Sequence, residues 1–314
     1  MTGPEVLDNG VLRVTVTPRV GGTITSVQHM SSGASVLGSV PWDVTEVPEP
    51  SGAAADEATW LTRYGGGWPL MFPNAGDACM VDGTRHGFHG EASVSPWAVM
   101  KRGPQSLTLQ RRFLSVPVTM TREIALQGDR LEVSETATAD RPCAVIWGQH
   151  VTFGSDLLAS PVQITAGATR SRTCAVYDPP ANPLRPGAEG DWPILPGKHG
   201  PLDLSRPPEG CAALACLTGF GAAPWVEVRR LDGLLAARLE WDATPWPLCW
   251  LWIETGGTQD APWFGRGRLI GVEPCSTWPA TGMADALAAG APLVPLFPGT
   301  PATARIALRA FTPA

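Results

Sequence analysis

Lysine is nearly missing from this chain: Lys101 and Lys198 are the only two in 314 residues. With a formal charge of −6 and a pI near 5.4, no basic stripe exists to hold nucleic acid or an anionic membrane surface. Arginine supplies the remaining positive charge, most of it read as surface strand residues. Long apolar runs are missing too. Residues 1–10 are polar and later apolar stretches are broken by charge, Gly or Pro, so neither a signal peptide nor a membrane-spanning helix is expected. The seven cysteines include no CxxC pair, and Cys211 and Cys216 stand apart from other ligand types. That pattern predicts no zinc site and reduced, mostly buried thiols in a cytoplasmic protein. GxSxG is absent, no cysteine adjoins a histidine, and Gly65-Gly66-Gly67 lacks the lysine and helix of a phosphate loop. Nowhere does a strand alternate with a long amphipathic helix, which disfavours doubly wound and barrel α/β folds.

What is present is turn chemistry and alternation. Glycine (35) and proline (32) are scattered throughout, and 44% of residues are apolar, enough for a core. Leu12, Val14 and Val16 alternate with Arg13, Thr15 and Thr17; Leu131 and Val133 alternate with Glu132 and Ser134; Ile306 and Leu308 alternate with Arg305 and Arg309. This is the period of half-buried antiparallel strands. Similar runs cover 106–113, 118–126, 145–153, 226–230, 234–241, 249–255 and 269–273. Gln127-Gly128-Asp129 and Asp232-Gly233 read as hairpin turns. One short helix is expected at 283–289, and long loops at 47–58 and 178–208. Composition does not change after Pro208, so residues 1–314 read as a single all-β domain.

Polar islands interrupt the strands. His86-Gly87-Phe88-His89-Gly90-Glu91 places two of the five histidines three apart in a glycine-rich loop. No third ligand is near, so one imidazole facing a polar ligand and one structuring the turn is the better reading than a metal site. In Trp147-Gly148-Gln149-His150 the odd positions face one way, and His150 shares the other face with small Gly148, which leaves space for a ligand. A core histidine satisfied by a backbone carbonyl is the alternative. Glu273 follows an apolar run, where desolvation raises a carboxyl toward general-base range; a salt bridge to Arg266 or Arg268 is the competing reading. Thirteen tryptophans stand against two tyrosines. Trp250, Trp252 and Glu254 alternate onto one face, and Trp68, Trp263 and Trp278 fall in loops; indoles can stack on a sugar's apolar face or simply fill the core.

Taken in order, Gly66-Gly67-Trp68-Pro69-Leu70-Met71-Phe72-Pro73-Asn74-Ala75-Gly76, His89-Gly90-Glu91 leading to Pro96-Trp97, the strand pair 122–136 before Trp147-Gly148-Gln149-His150, Gly271-Val272-Glu273-Pro274 and the closing Leu296-Phe297-Pro298-Gly299 resemble the aldose 1-epimerase (galactose mutarotase-like) superfamily. The likeness spans the chain. It implies a large antiparallel β-sandwich, the galactose mutarotase-like supersandwich, with one or two short helices and a sugar cleft on one sheet.

It further implies that Glu273 is the general base on the anomeric hydroxyl, His150 the acid at the ring oxygen, and His89 a second histidine bonding near that oxygen. No cofactor or metal is called for, and the partner is a small-molecule sugar, with the chain a monomer or homodimer. Arg63, Trp68, Asn74, His86, Glu91, Trp252 and Glu254 are the substrate-contacting candidates. The match is incomplete in three places. The Asn-Arg pair of galactose mutarotases is missing, which leaves Arg63 as candidate arginine. The family's sugar-binding aspartate has no direct counterpart, and Glu254 is nearest. Glu91 stands where sugar-phosphate mutarotases carry Phe-Ala-Arg, which weakens a phosphosugar reading. A non-catalytic carbohydrate-binding protein using the same cleft is the second expectation.

Overall fold

Alternation becomes pairing in the longest hairpin. Val118–Gln127 and Arg130–Ala139 run antiparallel with Gln127 opposite Arg130, closed by Gly128 at φ 59°, where a residue without Cβ turns at least cost. Inward positions Met120, Ile124, Leu131 and Val133 are buried, while the alternate positions carry Thr and Glu. The computed structural model describes residues 3–45, 47–48 and 56–313.

This hairpin lies within an eight-stranded sheet, flanked by Ala302–Phe311 on one side and Ser106–Arg112 on the other. A ten-stranded sheet faces it, with Ala212–Thr218, Leu248–Glu254 and Leu269–Cys275 side by side at its centre. A four-stranded sheet and two short ribbons complete the strands. One contiguous apolar cluster fills the space between the large sheets, with Leu131, Val133 and Leu308 from one and Trp147, Leu251 and Val272 from the other. The architecture is thus the expected mostly-β antiparallel sandwich with two short helices, Glu57–Leu61 and Met283–Ala288. No helix among the described residues is long and apolar enough to cross a membrane, and all seven cysteines are free thiols.

Three expectations are corrected. The run 145–153 is not one strand: Cys143–Val145 leaves to pair Val294–Leu296, and Gly148–Gln149 and Val151–Phe153 pair separately with Leu269–Cys275. Side-chain alternation survives the break. The region 178–208 is not structureless; Glu189–Asp191, Ile194–Gly197 and Gly200–Asp203 extend the edge of the ten-stranded sheet. These strands are too short and proline-rich to show a period, and edge positions tolerate proline. Most of the loop read at 47–58 lies outside the described residues, and its end instead enters a helix, Asp56 capping Glu57–Leu61 by accepting from the Thr59 N–H.

Polar groups also cross the core. Arg122 and Glu135 are direct cross-strand partners, both inward and fully buried, with Nε 3.3 Å from Oε1. Glu135 Oε2 accepts from Trp147 Nε1 at 2.7 Å and Gln149 Nε2 at 2.8 Å, from the segment Trp147–Gln149 that enters the facing sheet at Gly148. Gln149 Oε1 in turn accepts from Trp68 Nε1 at 2.7 Å. Trp68 is therefore a core residue with no exposure, not a sugar platform: its flat face packs between sheets because its N–H finds an acceptor there.

Glu135→Leu would leave the Arg122 charge buried and unpaired. It is expected to lower stability by about 3–5 kcal/mol, read from urea unfolding. Adding Arg122→Met should recover only part, since Trp147 and Gln149 still lack their acceptor.

Candidate active site

All seven residues of Leu269–Cys275 are buried. Ile270 and Val272 point into the inter-sheet core, so by alternation Gly271 and Glu273 point to the other face. On the neighbouring strand Trp250 lies opposite Glu273 and Trp252 opposite Gly271; on the far side Thr152 lies opposite Gly271. A Cβ on Gly271 would sit 2.3 Å from Glu273 Oε1. The missing side chain is thus what gives that carboxyl its space.

His150 follows Gly148–Gln149, its own N–H donating to Pro69 O at 3.1 Å. Its Nε2 stands 3.5 Å from Glu273 Oε1, and its Nδ1 is 3.0 Å from Thr152 Oγ1. His89 arrives from the glycine-rich loop at φ 53°, a conformation that costs a non-glycine residue about 1–3 kcal/mol. A reciprocal pair holds it: the His89 N–H donates to Gly76 O at 3.0 Å, and the Gly76 N–H donates to His89 Nδ1 at 3.1 Å. Nδ1 is therefore an acceptor, and the neutral ring carries its proton on Nε2. The two imidazoles meet at 5.2 Å between ring centres.

These three groups share a cavity of about 360 Å³. Trp60, Tyr64, Phe88, Tyr177, Trp250, Trp252 and Trp263 line it, as do Glu57 and Asp77. Burial sets the electrostatics. Glu273 is pushed well above the ordinary carboxyl range, and its Oε1 has no hydrogen-bond partner. His150 is held down to about 4 by burial, its own main-chain carbonyl offsetting part. His89 is held well down by burial, then by the charge His150 would carry. Burial therefore disfavours the charged form of all three groups.

Of the candidates read from sequence, Glu273, His150, His89 and Trp252 come together here. Six others lie elsewhere. Glu254 points to the same face, but its carboxylate accepts from the Gly256 N–H at 2.9 Å and from Thr258, folding the turn after its strand. Asn74 donates to Asp77 O and Gly87 O and accepts from the Met283 N–H, tying the His89 loop to the second helix. Glu91 is buried against Arg111 and accepts from the Leu114 and Ser115 N–H groups. Arg63 donates to Val47 O and Thr59 O beside a separate cleft of about 100 Å³. His86 is buried on the hairpin strand Thr84–His86, and Trp68 is in the core. Backbone groups consume most of these polar heads, which local sequence does not disclose.

Two further expectations change. The space above Gly148 is filled, since a Cβ there would meet the Met71 methyl at 2.9 Å and Cys275 Sγ at 3.0 Å; a strand packs there, not a ligand. Arg268 pairs with Glu209 and Arg266 donates to Pro262 O, so neither forms the bridge considered for Glu273. Trp60, Tyr64, Thr152 and Tyr177 were not anticipated. The available signal was scarcity: the chain has only two tyrosines, and both line this cavity.

No family model matches the sequence, and no curated protein does. Solved structures do resemble it over its full length. The Slr1438 protein of Synechocystis matches at TM-score 0.69 and 18% identity, over 99% of this chain and 96% of that one. A galactose mutarotase-like protein from Lactobacillus casei matches at 0.66 and 17%, over 98% and 100%. The GalM/aldose epimerase homologue from C. elegans matches at 0.66 and 13%, over 100% of both chains. The chain has the galactose mutarotase-like fold.

Glu273 has a stability consequence. A carboxyl raised in the folded state contributes most below its ordinary value of 4.5, and stability falls as pH rises toward the folded value. Glu273→Gln should therefore unfold at higher urea than wild type at neutral pH, with the difference vanishing in acid.

Proposed function

We propose that the protein is an aldose 1-epimerase-type mutarotase that interconverts the α and β anomers of an aldose without a cofactor. The observation that carries this reading is the 3.5 Å approach of His150 Nε2 to Glu273 Oε1 on the wall of an aromatic cavity, with His89 beside them. Acid and base within one small cavity are what ring opening needs, because both proton transfers are local. The shared fold with a galactose mutarotase-like protein and an aldose epimerase homologue supports it.

The buried pair accounts for the chemistry. In the reacting complex the sugar's hydroxyls solvate Glu273 as a carboxylate, and His150 carries the proton. Glu273 takes the proton of the anomeric hydroxyl while His150 gives one to the ring oxygen, and the carbon–oxygen ring bond breaks to an open-chain aldehyde. Glu273 is then protonated and His150 neutral, the forms that burial favours for both. Rotation about the first carbon–carbon bond and reclosure with the roles reversed yields the other anomer. The His89 Nε2–H adds a hydrogen bond near the ring oxygen, and Trp60 and Trp252 offer faces for the apolar side of the ring. No proton need be exchanged with solvent.

The described lining contains Glu57 and Asp77 but no lysine or arginine, which favours an uncharged aldose. Sugar phosphates are expected to show a lower kcat/KM than the parent sugars in NMR anomer-exchange assays. Glu273→Gln should lower kcat by about 10²-fold or more with sugar affinity little changed in titration calorimetry. Saturable binding by the wild type without faster anomer exchange would instead identify a carbohydrate-binding protein.

A further inference from the structure

We propose that Glu57 and Asp77 are specificity-determining residues, a carboxylate pair at the rim of the cavity that accepts hydrogen bonds from the hydroxyls on carbons four and six of an aldohexose. The choice of hydroxyls rests on the mutarotase reading of the site.

Both residues come from segments that also hold the imidazoles. Glu57 opens the helix Glu57–Leu61, whose start is fixed by the Asp56 cap, and it lies one turn before Trp60 on the same helix face. The Trp60 ring stands 4.8 Å from that of His89 and 5.7 Å from that of His150, and its N–H donates to Ser93 Oγ at 3.0 Å. Asp77 follows Gly76, whose N–H donates to His89 Nδ1. The Asp77 carbonyl accepts from Asn74 Nδ2 at 2.8 Å, so the main chain there is pinned. Both residues line the cavity and both are exposed, which places them at its rim.

The groups acting on this pair are themselves acidic. Burial against the wall first, then Asp77 and Asp56, raise the Glu57 carboxyl; burial and then Asp285 raise that of Asp77. Neither carboxylate accepts a hydrogen bond from a described residue. Glu254 and Glu91, by contrast, are consumed by backbone N–H groups. Two exposed carboxylates alone could be a solvated rim. Deeper in the same cavity, however, Glu273 Oε1 is buried without a hydrogen-bond partner, an acceptor left open for the hydroxyl of a ligand.

Ring geometry then assigns the hydroxyls. Glu273 and His150 engage the anomeric hydroxyl and the ring oxygen, with His89 on the ring-oxygen side. Glu57 and Asp77 flank His89, and Glu273 is not among the charges acting on them. They therefore face the edge beyond the ring oxygen, where the hydroxyls of carbons six and four project. An ionised carboxylate can only accept, and a sugar hydroxyl donates to it. The bound sugar also strips water from the pair. An analogue lacking one of these hydroxyls leaves a carboxylate without its donor, and such a site rejects it more sharply than an apolar wall would.

The test uses the full chain, with glucose, galactose and their 4-deoxy and 6-deoxy analogues. Binding is read from tryptophan fluorescence and turnover from NMR anomer exchange. For the parent sugar that binds tighter, removal of either hydroxyl should weaken binding about fivefold or more. Glu57→Ala and Asp77→Ala should each weaken the parent by a similar factor, raising KM with a smaller effect on kcat. Each variant should also become indifferent to one of the two hydroxyls. Both positions are exposed, where substitutions change stability little. Deoxy analogues bound as tightly as their parents overturn the proposal. So do variants that weaken parent and analogues by one common factor, because a structural role acts on every sugar alike. Failure of both parent sugars to bind overturns it as well. Hydroxyl-dependent binding without faster anomer exchange ends the mutarotase reading and keeps the subsite; anomer exchange indifferent to these hydroxyls does the reverse.

Discussion

Glu135 accepts hydrogen bonds from Trp147 and Gln149 across the dry interior between the two large sheets, and the rest of the architecture is organised around that contact. Apolar packing between sheets is non-directional and tolerates sliding. A carboxylate bound at fixed distances to two donors on the segment that enters the facing sheet does not. Arg122 supplies the counter-charge from the adjacent strand, and Gln149 passes the constraint to Trp68. The segment so pinned ends one residue before His150. The imidazole is thereby located from behind, by groups on the core side of the sheet.

Desolvation governs the cavity on the other face. The same burial that raises Glu273 lowers His150 and His89, so the charged form of each is disfavoured. That is an unfavourable place for a carboxyl in terms of stability. Backbone devices maintain it. Gly271 opens the space that Glu273 occupies, and the paired contacts with Gly76 hold His89 in a conformation it would otherwise leave. A site built on strand interiors and one strained loop is stiff.

Much of the fold was legible because alternation is a local signal. The hairpin 118–139 and the strands Leu248–Glu254 and Leu269–Cys275 follow from it almost residue by residue. What escaped lacks a period: the short edge strands after Glu189, the break around Ile146–Trp147, and a five-residue helix entered from a loop. Among site residues, Glu273, His150 and Trp252 were legible as polar or aromatic groups on the outward face of buried strands. Glu254 shares that face and was misread, because nothing in its neighbours announces that the turn at Gly256 consumes its oxygens.

Composition and alternation therefore determined a chain of antiparallel strands, among them Leu248–Glu254 and Leu269–Cys275 at the centre of one sheet, and which face of those strands meets the core, since these depend only on neighbours along the chain; the sandwich itself was implied by the family resemblance. Tertiary structure alone decided which polar groups are spent on backbone and which remain free. It left the Glu273 oxygen unpartnered and satisfied Asn74, Glu91 and Glu254. It also joined Trp60, Tyr64 and Thr152 to the mid-chain imidazole. The physical reason is that hydrogen-bond partners come from segments far apart in sequence, and a side chain's availability for chemistry is set by what those segments leave over.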